Sequence, residues 1–231
     1  MFDISPTEWT AILLSLRVAT VATLVATPIA VAVAWLLARR EFWGKALLDA
    51  AIHLPLVLPP VVTGYLLLLT FGRRGAVGAW LAEHLGLVFA FRWTGAALAC
   101  GIMSFPLLVR PIRLSIEAVD RRLEQAAATL GAASWQVFLT VTLPLALSGV
   151  LAGMVLGFAK ALGEFGATIT FVSNIPGETQ TISSAIYSLI QTPDGDTAAL
   201  RLVVISVLIS TAALVASEWF SRRALQRLHG S

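Results

Sequence analysis

The chain has 231 residues, of which 58% are hydrophobic and only 13% are charged. Soluble domains carry about 25% charged residues, so this composition excludes an ordinary water-soluble domain. The net charge of +3 comes from basic residues that flank apolar blocks, which favours contact with membrane lipid over nucleic-acid binding. The single cysteine, Cys100, lies inside an apolar block, where we interpret it as a packing residue rather than a metal ligand.

Five apolar blocks are separated by more polar segments, and most of them reach the roughly 20 residues that cross a bilayer as a helix. This pattern predicts an all-α bundle of about five transmembrane spans, folded as one membrane domain over residues 1–231. No secretory signal precedes the first block, so we expect that block to be retained as a span. The blocks are Ala11–Leu37, Ala46–Phe71, Trp93–Val109, Val137–Leu162 and Ala198–Phe220.

Basic residues are unequally divided between the two sides of these blocks. The loops on one side contain ten of them, whereas the opposite loops contain only Arg73, Arg74 and Arg92. By the positive-inside rule, the N-terminus is outside and the C-terminus is cytoplasmic, which agrees with an odd number of spans. The ten are Arg39, Arg40, Lys45, Arg110, Arg113, Arg121, Arg122, Arg222, Arg223 and Arg227.

Prolines interrupt the second block near its middle. The run His53–Pro60 lacks three backbone donors, because Pro55, Pro59 and Pro60 have no N–H. Such a break is tolerated at membrane depth where protein or a wet cavity satisfies the freed carbonyls. The segment is therefore either part of a pathway or a plain kink. A milder bend is expected near Pro28 in the first block, which is longer than the bilayer is thick.

Two outward segments are more than simple loops. Gly72–Arg92 contains a short amphipathic stretch that begins at Trp80 and suits the membrane surface. Gly163–Thr197 is too polar to span fully, although Ile182–Ile190 within it is apolar enough for a short helix. That piece is either re-entrant or spanning, and a crossing would overturn the five-span topology.

The cytoplasmic segment Arg110–Trp135 combines charge with strong helix formers. We expect a short helix there that stops at Gly131, because a left-handed residue commonly ends a helix. Leu123, Ala127 and Leu130 are spaced i, i+4 and i+7, which places them on one face that a partner's groove can accept.

Gln125, Ala126 and Ala127, with Gly131 four residues later and Val141-Thr-Leu-Pro144 beyond it, resemble the EAA signature of binding-protein-dependent ABC importer permeases. In that family the segment is a coupling helix, which sits in a cleft of a separate ATP-binding subunit. One departure is that the usual glutamate position holds Gln125, with Glu124 immediately before it. The ATPase-coupling residues that the resemblance implies are Leu123, Glu124, Gln125, Ala126, Ala127, Leu130 and Gly131.

A second resemblance covers essentially the whole chain. The run Gly163-Glu-Phe-Gly-Ala-Thr, the segment 174–187 and the run from His53 to Tyr65 resemble molybdate importer permeases of the bacterial inner membrane. Sulfate and thiosulfate permeases share the Gly-Glu-Phe-Gly-Ala motif but are typically longer, and tungstate is nearly isosteric with molybdate, so both stay open as alternatives. The resemblance implies a homodimer, two ATP-binding cassette subunits and an external molybdate-binding protein.

The residues that follow the fourth block suit a tetrahedral dianion, which needs hydroxyls and backbone N–H donors. Glu164 does not, since its carboxylate would repel the anion; it either pairs with Lys160 one turn earlier or gates the pathway. Arg73 and Arg74 either receive the acidic surface of an external binding protein, attract the oxyanion, or are simply solvated. The expected pathway residues are Pro59, Pro60, Gly163, Glu164, Phe165, Gly166, Ala167 and Thr168.

Catalysis finds little support in the sequence. There is no Gly-Lys-Ser/Thr phosphate-binding loop, and His53, His84 and His229 are widely separated. We therefore expect no cofactor on this chain and no enzymatic activity, with ATP and Mg held by the partner ATPase. A membrane-embedded enzyme would need convergent polar groups within the spans, and a passive channel would not need the docking segment.

Overall fold

The computed structural model describes residues 4–229, and of Leu214 and residues 216–229 it describes the backbone only. This part of the chain is all-helical, as the sequence predicts. Four side chains that entered the sequence analysis, those of Arg222, Arg223, Arg227 and His229, lie outside the described residues. The helices are α1 (Pro6–Arg39), α2 (Lys45–Val57), α3 (Pro60–Phe71), α4 (Ala76–Leu85), α5 (Trp93–Ala118), α6 (Arg121–Thr129), α7 (Ser134–Val137), the π-helix π1 (Phe138–Thr142), α8 (Leu143–Leu145), α9 (Leu147–Leu162), α10 (Gly166–Val172), α11 (Ile182–Leu189) and α12 (Asp196–His229).

Three helices are long and apolar enough to cross a membrane on their own, namely α1, α5 and the stretch Asp196–Ala213 of α12. The second and fourth apolar blocks instead form bent pairs. Helices α2 and α3 meet at 115°, and the segment Ser134–Leu145 meets α9 at 69°. Counting each bent pair as one span gives up to five spans.

The break between α2 and α3 falls inside the proline-rich run, as predicted. Leu58 ends α2 with an extended ψ of 143°, the conformation that a following proline imposes. Pro59 precedes α3 and Pro60 is its first residue, where a missing N–H removes no helical hydrogen bond. Pro28 differs, because it lies within α1 and does not end the helix.

One end of the bundle is fastened by polar contacts between distant segments. Ser5 and Glu8 form a capping box that starts α1. Glu8 also accepts a hydrogen bond from Arg201 of α12 at 3.0 Å. The backbone N–H of Ile182, the first residue of α11, donates to Ser15 Oγ of α1 at 2.7 Å. The first and last long helices are therefore joined at the same end as α11.

Helix α11 settles the question that the sequence left open. It has 8 residues, and a helix of that length extends only about 12 Å. The hydrocarbon core of a bilayer is about 30 Å thick, so this piece does not cross the membrane. The amphipathic stretch near Trp80 is helical as expected, and it forms most of α4.

Small residues allow α9 to pack closely against α5. Gly149, Gly153 and Gly157 recur every four residues on one face of α9 and are all buried. A β-carbon at Gly153 would lie 2.9 Å from the carbonyl oxygen of Leu108, so only glycine permits this backbone approach. Membrane helices associate through such small-residue faces because lipid offers no hydrophobic driving force. Cys100 of α5 is buried in another hydrophobic cluster, with residues of α1, α9 and α10, consistent with a packing role.

Candidate coupling helix and translocation pathway

Helix α6 is defined at both ends by local signals. At its start, the Asp120 side chain accepts a hydrogen bond from the Arg122 N–H at 2.9 Å. At its end, Gly131 adopts a φ of +89°, and its N–H donates to the carbonyl of Ala128 at 3.0 Å. The next N–H, that of Ala132, reaches back to Ala127 at 3.2 Å, which completes a Schellman motif. The predicted stop at Gly131 is confirmed.

One face of α6 presents apolar side chains to the surroundings. Leu123 is 50% exposed and Leu130 is 89% exposed, and Ala126 between them is exposed as well. Ala127 is half-buried at the edge of this face. Leucines are seldom left so exposed on a short polar helix, so this face fits a groove on another protein. The structure thus brings the predicted apolar stripe to the outside.

The opposite face of α6 points into the protein. At about 100° per residue, Glu124 lies about a third of a turn and Ala128 nearly half a turn from Leu123 and Leu130. Together with Gln125 they line a depression between α6 and the end of α1. Sequence reasoning grouped Glu124 with the residues that meet the ATPase, whereas the structure directs its carboxylate toward α1.

Glu124 is held by two other segments. Its Oε1 accepts hydrogen bonds from Arg39 at 3.0 and 3.2 Å and from the Thr142 hydroxyl at 2.6 Å. Arg39 also donates to the carbonyl of Val119 at 3.1 Å. Side-chain exposure is only 9% for Arg39 and 19% for Glu124, so water screens the pair weakly. This cluster joins the last turn of α1, α6 and π1.

The π-helix places Thr142 in this cluster. In π1 the Leu143 N–H reaches back to the carbonyl of Phe138, one residue further than in an α-helix. The extra residue rotates the following side chains by about 100° relative to those before it. Pro144 follows directly, and the chain bends by 69° before it continues as α9. Sequence analysis did not predict this break, although Pro144 was a signal for it.

Glu164 is the charged member of the expected pathway, and it is bound to protein on both oxygens. Oε2 accepts a hydrogen bond from Lys160 at 2.7 Å, and Oε1 accepts one from the Ala167 N–H at 3.0 Å. Its side chain is 1% exposed. The pairing with Lys160 that we considered from the sequence is present, and Glu164 in addition caps the start of α10.

The two halves of the expected pathway meet where α3 and α10 begin. A β-carbon at Gly166 would lie 2.7 Å from Cβ of Pro60. Pro59, Pro60 and Gly163 are exposed, whereas Ala167 is buried. Phe165 packs against the ring of Tyr187 with centroids 4.9 Å apart. The exposed edge of this contact is thus built from prolines and glycines, whose surfaces offer little steric bulk.

Thr168 differs from its expected role as an anion ligand. It is buried, and its hydroxyl donates to the carbonyl of Phe165 at 2.9 Å. Two residues that sequence reasoning missed lie nearby on α3. Gly64 packs on α10 so closely that an added β-carbon would lie 2.5 Å from the carbonyl oxygen of Ala167. The buried hydroxyl of Thr63 has no hydrogen-bond partner in the described chain. The signal for both was the Thr-Gly pair that follows the proline run.

Within the described part of the chain, no group of three or more histidine, cysteine or acidic side chains is arranged to hold a metal ion. The Nδ1 atom of His53 instead lies 2.8 Å from the carbonyl oxygen of Asp49, which accepts a hydrogen bond from it in the tautomer that carries the proton on Nδ1. Asp49 accepts a hydrogen bond from Arg113 of α5 at 3.1 Å, which fastens α2 to α5.

These features define a class of protein: a helical membrane permease subunit with a short helix that leaves two leucines exposed. The structure resembles that of a bacterial ABC transporter that imports alginate, with a TM-score of 0.75 and 17% identity over 95% of this chain and 80% of that chain. It also resembles the MetNI methionine ABC transporter, with a TM-score of 0.72 and 15% identity over 96% and 99% of the two chains. At these identities the likeness shows the fold.

The chain belongs to the family of binding-protein-dependent transport system inner membrane components, which matches residues 26–226. It is 59% identical to the molybdenum transport system permease protein ModB of Escherichia coli K12, over 95% of this chain and 96% of that protein. It is 58% identical to ModB of Haemophilus influenzae, over 96% of each. A probable sulfate transport system permease of Chlorella vulgaris is 35% identical over 82% of this chain and 71% of that protein. The chain is therefore an inner membrane component of a bacterial ABC transporter.

Proposed function

We propose that this chain is the permease subunit of an ATP-driven importer for molybdate. The proposed substrate rests on the similarity to two bacterial molybdenum permeases, which are 59% and 58% identical over 95% and 96% of this chain. The proposed mechanism rests on the two faces of helix α6. The outer face exposes Leu123 and Leu130, and the inner face is fastened to α1 by hydrogen bonds. Tungstate is the nearest alternative substrate because its oxyanion has almost the same size and charge.

The proposed assembly is a homodimer with the pathway at its interface, joined to two ATP-binding cassette subunits and supplied by an external molybdate-binding protein. In this proposal the N-terminus is outside and α6 is in the cytoplasm, which is supported by the positive-inside rule applied to the arginines near the ends of α1 and α5. This chain binds no cofactor in the proposal, since ATP and Mg belong to the partner subunits.

In the proposed mechanism, ATP-driven closure of the partner subunits moves α6. Because Glu124 accepts hydrogen bonds from Arg39 and Thr142, that movement is transmitted both to α1 and to the bent segment Ser134–Leu162. The bend at Ala146 and the break at Pro59 divide the second and fourth segments into parts that can rotate. The exposed edge of Pro59, Pro60 and Gly163 then lines the route of the oxyanion.

Transport by the reconstituted importer tests the substrate. Vesicles that contain this chain, its ATPase subunit and its binding protein are loaded with ATP and given radiolabelled molybdate. Unlabelled molybdate and tungstate should compete strongly, and sulfate should compete weakly. Equal competition by sulfate would make the chain a sulfate permease, and uptake without ATP would reject the importer.

Sidedness is tested by cysteine labelling in a Cys100→Ala background. Ala133 is exposed just after α6, and Glu178 is exposed between α10 and α11. A membrane-impermeant thiol reagent applied from outside should label Glu178→Cys and spare Ala133→Cys. Outside labelling of Ala133→Cys would overturn both the topology and the docking of α6 to an ATPase.

A further inference from the structure

A second site lies on the inner side of α6. A cavity of about 320 Å³ is enclosed by the end of α1, the inner face of α6 and the start of π1. Its lining includes three arginines, Arg39, Arg40 and Arg121, and a single carboxylate, that of Glu124. The cavity is separate from the exposed leucine face of α6, which is about half a turn away.

The positive charge in this cavity is only partly neutralised. Glu124 is bonded to Arg39 and to the Thr142 hydroxyl. Neither Arg40 nor Arg121 has a carboxylate within salt-bridge distance in the part of the chain that the structure describes. Two guanidinium groups thus face one cavity without a counter-charge.

The carboxylate of Glu41 interacts with Arg121 without forming an ion pair with it. Glu41 is bound by Lys45 at 2.7 Å. The hydrogen bond from Lys45 holds the pKa of the Glu41 carboxyl below its ordinary value, and the charges of Arg113 and Arg121 lower it further. Glu41 therefore has its close ion pair with Lys45 and leaves Arg121 without one.

The side of the cavity toward the membrane is aromatic. Trp35 and Phe138 form an edge-to-face pair with ring centroids 6.0 Å apart. The guanidinium of Arg40 lies 5.7 Å from the centre of the Trp35 ring. Trp43, in the short connection after α1, is fully exposed, as tryptophans at a membrane surface are. One end of the cavity therefore suits an anion and the other suits hydrocarbon.

We propose that this cavity binds the phosphate of an anionic phospholipid from the cytoplasmic leaflet, with Arg40 and Arg121 donating to the phosphate oxygens and the acyl chains passing Trp35. Guanidinium groups suit this role because their planar donors match a phosphate. Basic pockets at the cytoplasmic ends of membrane helices recognise lipid headgroups in this way. Inorganic phosphate shares the headgroup chemistry, but the aromatic wall favours a lipid. The inference rests on the sidedness in the proposed function.

Lipid retention by the purified full-length chain tests the site. Phosphatidylglycerol or phosphatidylcholine is titrated into the protein in detergent, and bound lipid is counted by native mass spectrometry. The cavity variant is Arg40→Gln with Arg121→Gln. The matched control, Arg110→Gln with Arg122→Gln, removes the same charge from two exposed arginines that do not line the cavity.

Wild type and control should retain phosphatidylglycerol over phosphatidylcholine, and the cavity variant should bind it at least about tenfold more weakly, because charge-assisted hydrogen bonds are lost. Equal retention by wild type and cavity variant would overturn the proposal. So would displacement of the lipid by millimolar inorganic phosphate, which would assign the site to free phosphate. Either result leaves the proposed molybdate uptake untouched. External labelling of Ala133→Cys, in contrast, would contradict both the lipid site and the proposed function.

Discussion

Arg39 and Glu124 are 85 positions apart in the chain, yet their side chains meet at 3.0 Å. One lies in the last turn of a membrane helix, and the other lies on the short helix that carries the exposed leucines. The same glutamate oxygen accepts the hydroxyl of Thr142 at 2.6 Å. Helix α6 therefore cannot move far without pulling on α1 and π1 or breaking these bonds.

We expect Glu124→Gln to weaken the coupling of ATP hydrolysis to uptake. The change removes the charge that balances Arg39, and a charged hydrogen bond in such a site contributes about 1.5–3 kcal/mol. The measurement is molybdate transported per ATP hydrolysed in reconstituted vesicles. Glu117→Gln is the control, because its ion pair with Arg113 is more exposed and contributes little. A normal ratio in Glu124→Gln would remove this cluster from the mechanism.

Gly131→Ala should destabilise the end of α6 by about 1–2 kcal/mol, since Gly131 has a φ of +89° that residues with a β-carbon adopt poorly. Gly131→Pro should go further and abolish ATPase coupling with membrane insertion intact, because it also removes the N–H that bonds Ala128. Gly177→Ala carries similar strain, at φ +82°, in a segment away from α6. Co-purification with the ATPase subunit is the readout, and equal loss in both alanine variants would contradict the specific role of Gly131.

Gly166→Val should reduce oxyanion uptake. Its β-carbon would fall 2.7 Å from Pro60, so the contact between α3 and α10 must open. Thr10→Val is the control. Thr10 is exposed on α1, and its hydroxyl donates to the carbonyl of Pro6 at 2.8 Å. This variant loses that hydrogen bond but should transport normally. Uptake is compared at equal amounts of assembled transporter, which separates an effect on transport from an effect on folding. Unchanged uptake by Gly166→Val would exclude this contact from the pathway.

Gly153→Leu should lower the stability of the membrane bundle by about 1–3 kcal/mol or more, because overpacking forces neighbouring groups apart. The nearest group is the backbone carbonyl of Leu108, which yields less readily than a side chain. Ala152→Leu, one position earlier on the exposed side of α9, is the matched control. Thermal unfolding in detergent should distinguish the two variants, and equal melting would argue against close packing of α5 and α9.

Local features of this chain could be predicted because their causes are local. Gly131 ends α6 through its own backbone angle, and the prolines at 59 and 60 break the second block because they lack N–H donors. The amphipathic stretch near Trp80 forms a helix for the same kind of reason. The pairing of Lys160 with Glu164 also follows from a spacing of four residues across the end of α9.

Features that depend on distant residues could not be predicted. The direction of Glu124 depends on Arg39, and the position of Thr142 depends on one extra residue in π1, which no periodicity marks. Thr168 was expected to face an anion, but its hydroxyl bonds to its own helix at 2.9 Å. Ile182–Leu189 was left open until its length excluded a crossing.

The sequence by itself determined that this is a helical membrane protein, that its second block breaks at Pro59 and Pro60, that α6 stops at Gly131, and which family signature it carries. It could do so because hydrophobic block length, proline and glycine act over a few residues. Only the tertiary structure decided that α6 has an outer face of leucines and an inner face fastened to α1, and that arginines from two helices share one cavity. Those relationships depend on how helices pack against each other, and packing is set by the shapes of side chains that lie far apart in the chain.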